Sequence, residues 1–189
     1  MKLVSKYALK WKVFIYKYFL SRAKNMKGKP RINQPVLFWG KGEIAVGDGV
    51  IFGCFPSPGY YNGYSHVEAR DIHSKVQIGS GTAINNNFLA IAYNANIIIG
   101  PRCLIGSNVE ILSSDFHNLS PDQRWDSNIR PSAKDVIIGE NVWIGNSSKI
   151  LKGVKVGDNS VIAAGAVVIK DFPENVVVAG NPAKEVKKI

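Results

Sequence analysis

The chain has 189 residues, 46% of them hydrophobic, and a formal charge of +10. That length and apolar share suit one domain with a sizeable core. The two cysteines, Cys54 and Cys103, make neither a disulfide framework nor a CxxC site, so a reducing, cytoplasmic setting is expected.

The charge is local. Residues 1–30 hold nine Lys/Arg and no Asp or Glu, which leaves +1 for the rest of the chain. Residues 3–20 show the 3.6-residue spacing of an amphipathic helix. Val4, Tyr7, Trp11, Phe14, Ile15 and Tyr18 fall on one side, and Lys2, Lys6, Lys10 and Lys17 on the other. No apolar run is long enough to span a bilayer, and lysines interrupt it too often for a signal-peptide core. Two roles stay open. The helix could lie on an anionic membrane face, each basic residue adding on the order of 1 kcal/mol. It could instead cap the end of the fold that follows. Nucleic-acid binding is not expected, because no base-reading motif follows the basic stretch. The expected division is a basic amphipathic segment over 1–30 and one domain over 31–189.

From about Ile32 the chain turns to short strands. A first six-residue repeat begins at Val46, and Pro56 to Ser65 (PSPGYYNGYS) reads as a loop. Repeats resume at Ile78, Ile84, Ile99 and Ile105 and end at Ile111. The longest run is Ile138 to Val168, where an aliphatic residue returns every six: Ile138, Ile144, Ile150, Val156, Ile162, Val168. The fifth position of each block is small or β-branched: Val142, Ser148, Val154, Ser160, Ala166. A period of six is neither helical nor a plain strand alternation; it is the mark of a hexapeptide β-helix. Cys103 also occupies a fifth position, so it is expected to be buried. Three stretches break the period, 53–75, 85–98 and 112–137, and each is expected to be a loop or bulge able to carry a binding surface. In the tail, Asn181 and Pro182 read as the N-cap and first residue of a short basic helix.

The third break contains His117, whose imidazole suits proton transfer near neutral pH, together with Asp115, Asn118, Arg124 and Trp125. The repeats, this His-bearing loop, NVWIG (Asn141 to Gly145), IAAGAVVIKD (Ile162 to Asp171) and VAGNPAKEV (Val178 to Val186) together resemble the hexapeptide-repeat acyltransferases. The galactoside and maltose O-acetyltransferases, and their relatives in capsule, O-antigen and exopolysaccharide synthesis, are the nearest branch. The resemblance covers roughly residues 70–189.

The resemblance implies an all-β fold: a left-handed parallel β-helix with an N-terminal amphipathic α-helix and a short C-terminal helix. Left-handed crossovers are an exception to the usual rule. It implies a homotrimer with acetyl-coenzyme A between neighbouring solenoids, and no metal. It makes His117 the general base for an acceptor hydroxyl, with Asp115 or a carbonyl orienting the ring. It maps the oxyanion N–H to Asn146, the thioester wall to Trp143, and acceptor contacts to Asn87 and Asn86. Ala164 and Gly165 would let the pantetheine arm approach the backbone. Lys170 would lie near the phosphates, and Lys184 and Lys187 near the nucleotide end. The family often has Thr before the first of these lysines, where this chain has Ile169.

The implied reaction is acetyl transfer from acetyl-coenzyme A to a sugar hydroxyl, at or near the inner face of the cytoplasmic membrane. Other acceptors, serine, an amino sugar or an antibiotic, keep the class. A carbonic-anhydrase-like enzyme would need His66, His73 and His117 to converge on zinc, and they lie on two separate insertions. A non-catalytic scaffold would leave the histidine loop unexplained.

Overall fold

The structure, a computed structural model, describes residues 2–126, 128 and 130–189, and for residues 2–4 the backbone alone. Three parallel sheets form the three sides of a β-helix. Sheet A has six strands, beginning with Asn25–Lys27 and ending with Lys155–Val156. Sheet B has eight, from Arg31–Ile32 to Ala183–Lys188. Sheet C has six, from Val36–Gly40 to Val167–Val168. Each coil visits A, B and C in turn.

The six-residue period explains the geometry. First-position residues stack in register from coil to coil: Val46, Ile78, Ile99, Ile138 and Val156 in sheet A, and Phe52, Ile84, Ile105, Ile144, Ile162 and Val178 in sheet B. All are buried. Burying one such side chain contributes roughly 1.5–3 kcal/mol. Fifth-position residues are buried at the corners, including Cys103 as expected. The hydroxyls there are satisfied: Ser148 Oγ donates to the carbonyls of Gly145 and Ala163, and Ser160 Oγ to that of Pro173. The fourth position turns the corner in the left-handed region, occupied by Asn87, Arg102, Asn108, Asn141, Ser147, Asn159 and several glycines. Asn141 and Asn159 extend this into a ladder, each amide donating to the asparagine of the next coil, Asn159 and Asn175.

The solenoid starts earlier than the repeats suggest. Asn25–Lys27 pairs with Glu43–Val46, so the end of the basic segment already belongs to the first coil. The early coils hide the period because their strands run to five residues (Val36–Gly40, Ser65–Ala69) and aromatics such as Phe38 and Phe52 fill them. The break at 85–98 is not an inserted loop. A longer strand, Leu89–Ala92, and a turn through Asn94 absorb the extra residues, with Asn94 N–H donating to Asp71.

The ends differ from expectation. The N-terminal helix, α1, spans Lys2–Ile15 and finishes in a wider turn, Tyr16–Leu20. Leu9 is its buried residue, while Tyr7, Trp11, Phe14 and Tyr18 are exposed. The aromatic side therefore faces outward; the side chain of Val4 lies outside the described residues. The expected short C-terminal helix is absent. Ala183–Lys188 is a strand running antiparallel to Val176–Gly180, joined through a cis Asn181–Pro182 bond. Folding back pairs the open N–H and C=O groups of the last sheet B rung, which a helix would leave bare.

Candidate functional site

Two edges of the prism carry the residues singled out by sequence. The corner between sheets B and C carries Asn86, Asn87, Asn146, Ala164 and Gly165 on successive coils. The corner between C and A carries His117, Asp115 and Lys170. Lys184 and Lys187 are exposed on the terminal strand.

Trp143 and Asn146 come together. They line a cavity of ≈ 640 Å³ along the outer face of sheet B, with Leu104, Asn85 and Tyr60. Arg31, Ile51, Ala83, Leu104, Trp143 and Val161 are outward register neighbours along this face. At this corner a side chain of one coil satisfies the backbone of the previous one: Asn146 Oδ1 accepts from Ser107 N–H at 2.9 Å. The equivalent position one coil later is Ala164, which has no acceptor. Among the described hydrogen bonds, the Asn146 N–H is consequently unspent, on an exposed residue. Beside it, Gly165 sits at φ +71°, and a Cβ there would meet nothing within 4 Å, so a ligand can approach the backbone. Burial, reinforced by Tyr61 and Cys54, pushes the Tyr60 phenol up, so it remains a donor at neutral pH.

Asn86 and Asn87 act first as anchors of the 54–64 loop. Asn86 is fully buried; its amide donates to the carbonyls of Cys54, Ser57 and Pro58, and its Oδ1 accepts from Cys54 N–H. It is therefore unavailable for direct contact with an acceptor, contrary to the sequence expectation. The Asn87 amide is wedged against Gly59 and Gly63 and accepts from Gln34. It also donates to Asn108 and lines a smaller hollow of ≈ 270 Å³ with Tyr64, His66 and Glu110.

His117 crowns a rigid stem. Ser114 and Ala133 form an antiparallel bridge, Asp115 N–H donates to Ser132, and Lys134 N–H donates to Ser113. Phe116 stands at φ +64° and stacks on Tyr93 at 6.4 Å. The Arg70 guanidinium lies 5.5 Å from the Tyr93 ring and 5.0 Å from the Phe116 ring. His117 itself is exposed. Asp115, expected to orient it, instead faces Lys152 Nζ at 3.2 Å, and Lys152 also donates to Ser132. The carboxylate thus ties the loop to the solenoid rather than to the imidazole.

Sequence reasoning missed the support behind this stem. Glu68 is buried between His66 and Arg70, with His66 Nε2 at 3.0 Å and Arg70 Nε at 2.8 Å. Burial alone would raise its carboxyl, but the hydrogen bonds from His66 and Arg70 outweigh that and hold it at about 2. The three histidines do not converge: His66 serves Glu68, and the His73 backbone N–H donates to Asp71. Among the described residues no group of three His, Cys, Asp or Glu could hold a metal ion.

The family follows from this geometry and from known proteins. The model for bacterial transferase hexapeptide repeats (six repeats) matches residues 135–170, and that for the hexapeptide repeat of succinyl-transferase matches 96–113. The galactoside O-acetyltransferase of Lactococcus lactis subsp. lactis is 37% identical over 137 residues, 72% of this chain and 60% of the relative. That of Escherichia coli K12 is 40% identical over 116 residues, 61% of this chain and 55% of the relative. The solved structure of the polysialic-acid-specific acetyltransferase NeuO aligns with a TM-score of 0.57 at 33% identity, covering 88% of this chain and 68% of that one. The chain belongs to the hexapeptide-repeat acyltransferases, and its solenoid is their left-handed β-helix. It spans about 55–60% of the length of the two galactoside relatives.

Proposed function

We propose that the chain transfers an acetyl group from acetyl-coenzyme A to a sugar hydroxyl in the synthesis of a surface glycan. The observation that carries this is the open Asn146 N–H, left by Ala164 beside Trp143 in the sheet B cavity. An unspent backbone donor in a walled cavity is what a tetrahedral oxyanion requires. His117 Nε2 or Nδ1 removes the proton from the acceptor hydroxyl as its oxygen attacks the thioester carbonyl. The oxyanion then collapses, the carbon–sulfur bond breaks, and the thiolate takes the proton from the imidazolium. Ala164 and Gly165 give the pantetheine arm access to the backbone, with Lys170, Lys184 and Lys187 placed for the phosphates. Asn87 lines the acceptor side, and Asn86 contributes through the loop it holds.

His117 and Asn146 sit on different edges of the prism, so the reading requires two copies, His117 of one beside Asn146 of the next. A homotrimer closes such a head-to-tail contact. Trp125, 94% exposed near the tip of the His117 loop, is an apolar group waiting for that neighbour. The outward aromatics and lysines of α1 suit peripheral contact with an anionic membrane face. Among the described residues, no helix is long and apolar enough to cross a membrane.

The test is release of free thiol from acetyl-coenzyme A across a panel of sugars, nucleotide sugars, serine and simple alcohols. His117→Ala should lower kcat by about 10²–10⁴-fold with the core still folded. Near-full activity in that variant would remove His117 from the mechanism.

A further inference from the structure

A groove separates α1 from the solenoid. Leu9 and Val13 form its helix wall, and Ile32, Phe55 and Tyr60 the opposite one. Lys6 and Lys10 stand at its side. Its volume is ≈ 1060 Å³, the scale of a small-molecule site rather than of a packing fault. A helix kept only as a cap would gain by closing on this space, because an apolar void forfeits contacts on every wall. The groove also leads somewhere: Asn33, Phe55 and Tyr60 line both it and the cavity that contains Trp143 and Asn146. Among the described residues, no carboxylate lines either space. The combination is an apolar trough, two ammonium groups, and a wall shared with the candidate reaction centre through Asn33, Phe55 and Tyr60.

We propose that this groove holds the hydrocarbon end of an amphiphilic acceptor with a phosphate head, so that the polar part of the same molecule is delivered to Trp143 and Asn146. The inference rests on the reading of that cavity as the acyl-transfer site. Leu9, Val13 and Ile32 supply the apolar contact, and Lys6 and Lys10 the charge that complements a phosphate. The outer side of the same helix fits the source of such a ligand. Tyr7, Trp11 and Tyr18 are each more than 60% exposed among lysines, the composition of a bilayer interface anchor. A chain leaving the bilayer at that helix enters the groove with little exposure to water.

The probe is dodecyl phosphate below its micelle concentration, titrated into the full chain without acetyl-coenzyme A and followed by calorimetry and native mass spectrometry. One molecule should bind per chain. Val13→Trp, which fills the trough, should weaken binding about tenfold or more, as expected when a buried chain loses its space. Lys6→Gln with Lys10→Gln should weaken it about three- to tenfold, more so at low salt. Dodecanol should bind more weakly than the phosphate, and Trp11→Ala, on the outer face, should change nothing. The proposal is overturned by absence of binding, or by a Val13→Trp protein that binds as wild type. It is also overturned if Trp11→Ala rather than Val13→Trp abolishes binding, which would mean adsorption to the outer face. A change of oligomer mass in Val13→Trp would place a neighbouring copy in the groove and would overturn it too. Thiol release from acetyl-coenzyme A separates the two readings: if wild type binds dodecyl phosphate in the pattern above yet releases no thiol with either a short soluble sugar or a sugar carried on an alkyl phosphate, acetyl transfer fails and the groove stands.

Discussion

At the scale of single residues, the site depends on what each coil leaves unsatisfied. Asn146 completes Ser107, while Ala164 cannot complete Asn146, so a one-residue difference between coils creates a free donor. Glu68 illustrates the opposite case, a carboxylate over-supplied with donors. Its carboxyl, held at about 2 when folded, titrates near 4.3 in an unfolded chain. The stability it contributes is therefore complete above about pH 4.3 and is lost as pH falls through about 2. Glu68→Gln should flatten that acid limb of unfolding, measured by circular dichroism between pH 2 and 5, and should loosen Arg70 from Phe116. An acid limb identical to wild type would show that Glu68 is not its origin. None of this was legible in the chain, because His66, Glu68 and Arg70 alternate on one strand and read as an ordinary polar edge. His117 was legible because it stands in the longest interruption of a strict period. The partner of Asp115 was not, because the ammonium it faces, Lys152, comes from the next coil.

At the scale of elements, α1 presents two different faces. Leu9 is buried on the groove side, and the aromatic ridge faces out, with Trp11 stacked on Phe14 and Tyr18 tilted against Phe14. Helical period alone selects the wider aromatic stripe as the buried side. The Leu9–Val13 stripe instead faces the groove whose opposite wall is Ile32, Phe55 and Tyr60. The two faces should separate experimentally. Leu9→Ala should cost about 2 kcal/mol in denaturant unfolding with vesicle binding kept. Trp11→Ala with Phe14→Ala should leave stability within about 0.5 kcal/mol yet lower co-sedimentation with anionic vesicles. Vesicle binding unchanged in the double variant would assign the ridge to another partner. The tail shows the reverse limit. Asn–Pro followed by Ala-Lys-Glu-Val-Lys-Lys fits a helix start and a charged edge strand equally well, and only the unpaired rung of sheet B decides between them.

At the scale of the whole molecule, the late coils were readable because position one is aliphatic and position five small or β-branched throughout. Before residue 70 the same architecture continues with longer strands and aromatic fillers, so the pattern fades while the fold does not. The division of the site between two prism edges makes a prediction that no single chain can satisfy. His117→Ala disables one edge and Ala164→Trp obstructs the other, so each alone should be inactive. Co-refolding equal amounts should restore about a quarter of wild-type thiol release, the chance that one interface joins the intact edges of two different variants. No recovery on mixing would mean that each chain builds its site alone.

The reversed strand Ala183–Lys188 has a consequence for size. A stack of parallel rungs has no natural length, since its last rung is a template for the next, and a solenoid left open is the beginning of a filament. A strand of opposite polarity, with Lys184, Glu185, Lys187 and Lys188 all exposed, gives an incoming rung neither the matching direction nor an apolar seat. Ala183–Lys188 thus covers the sheet B edge of Val176–Gly180, which a helix at this place would leave open to an incoming rung.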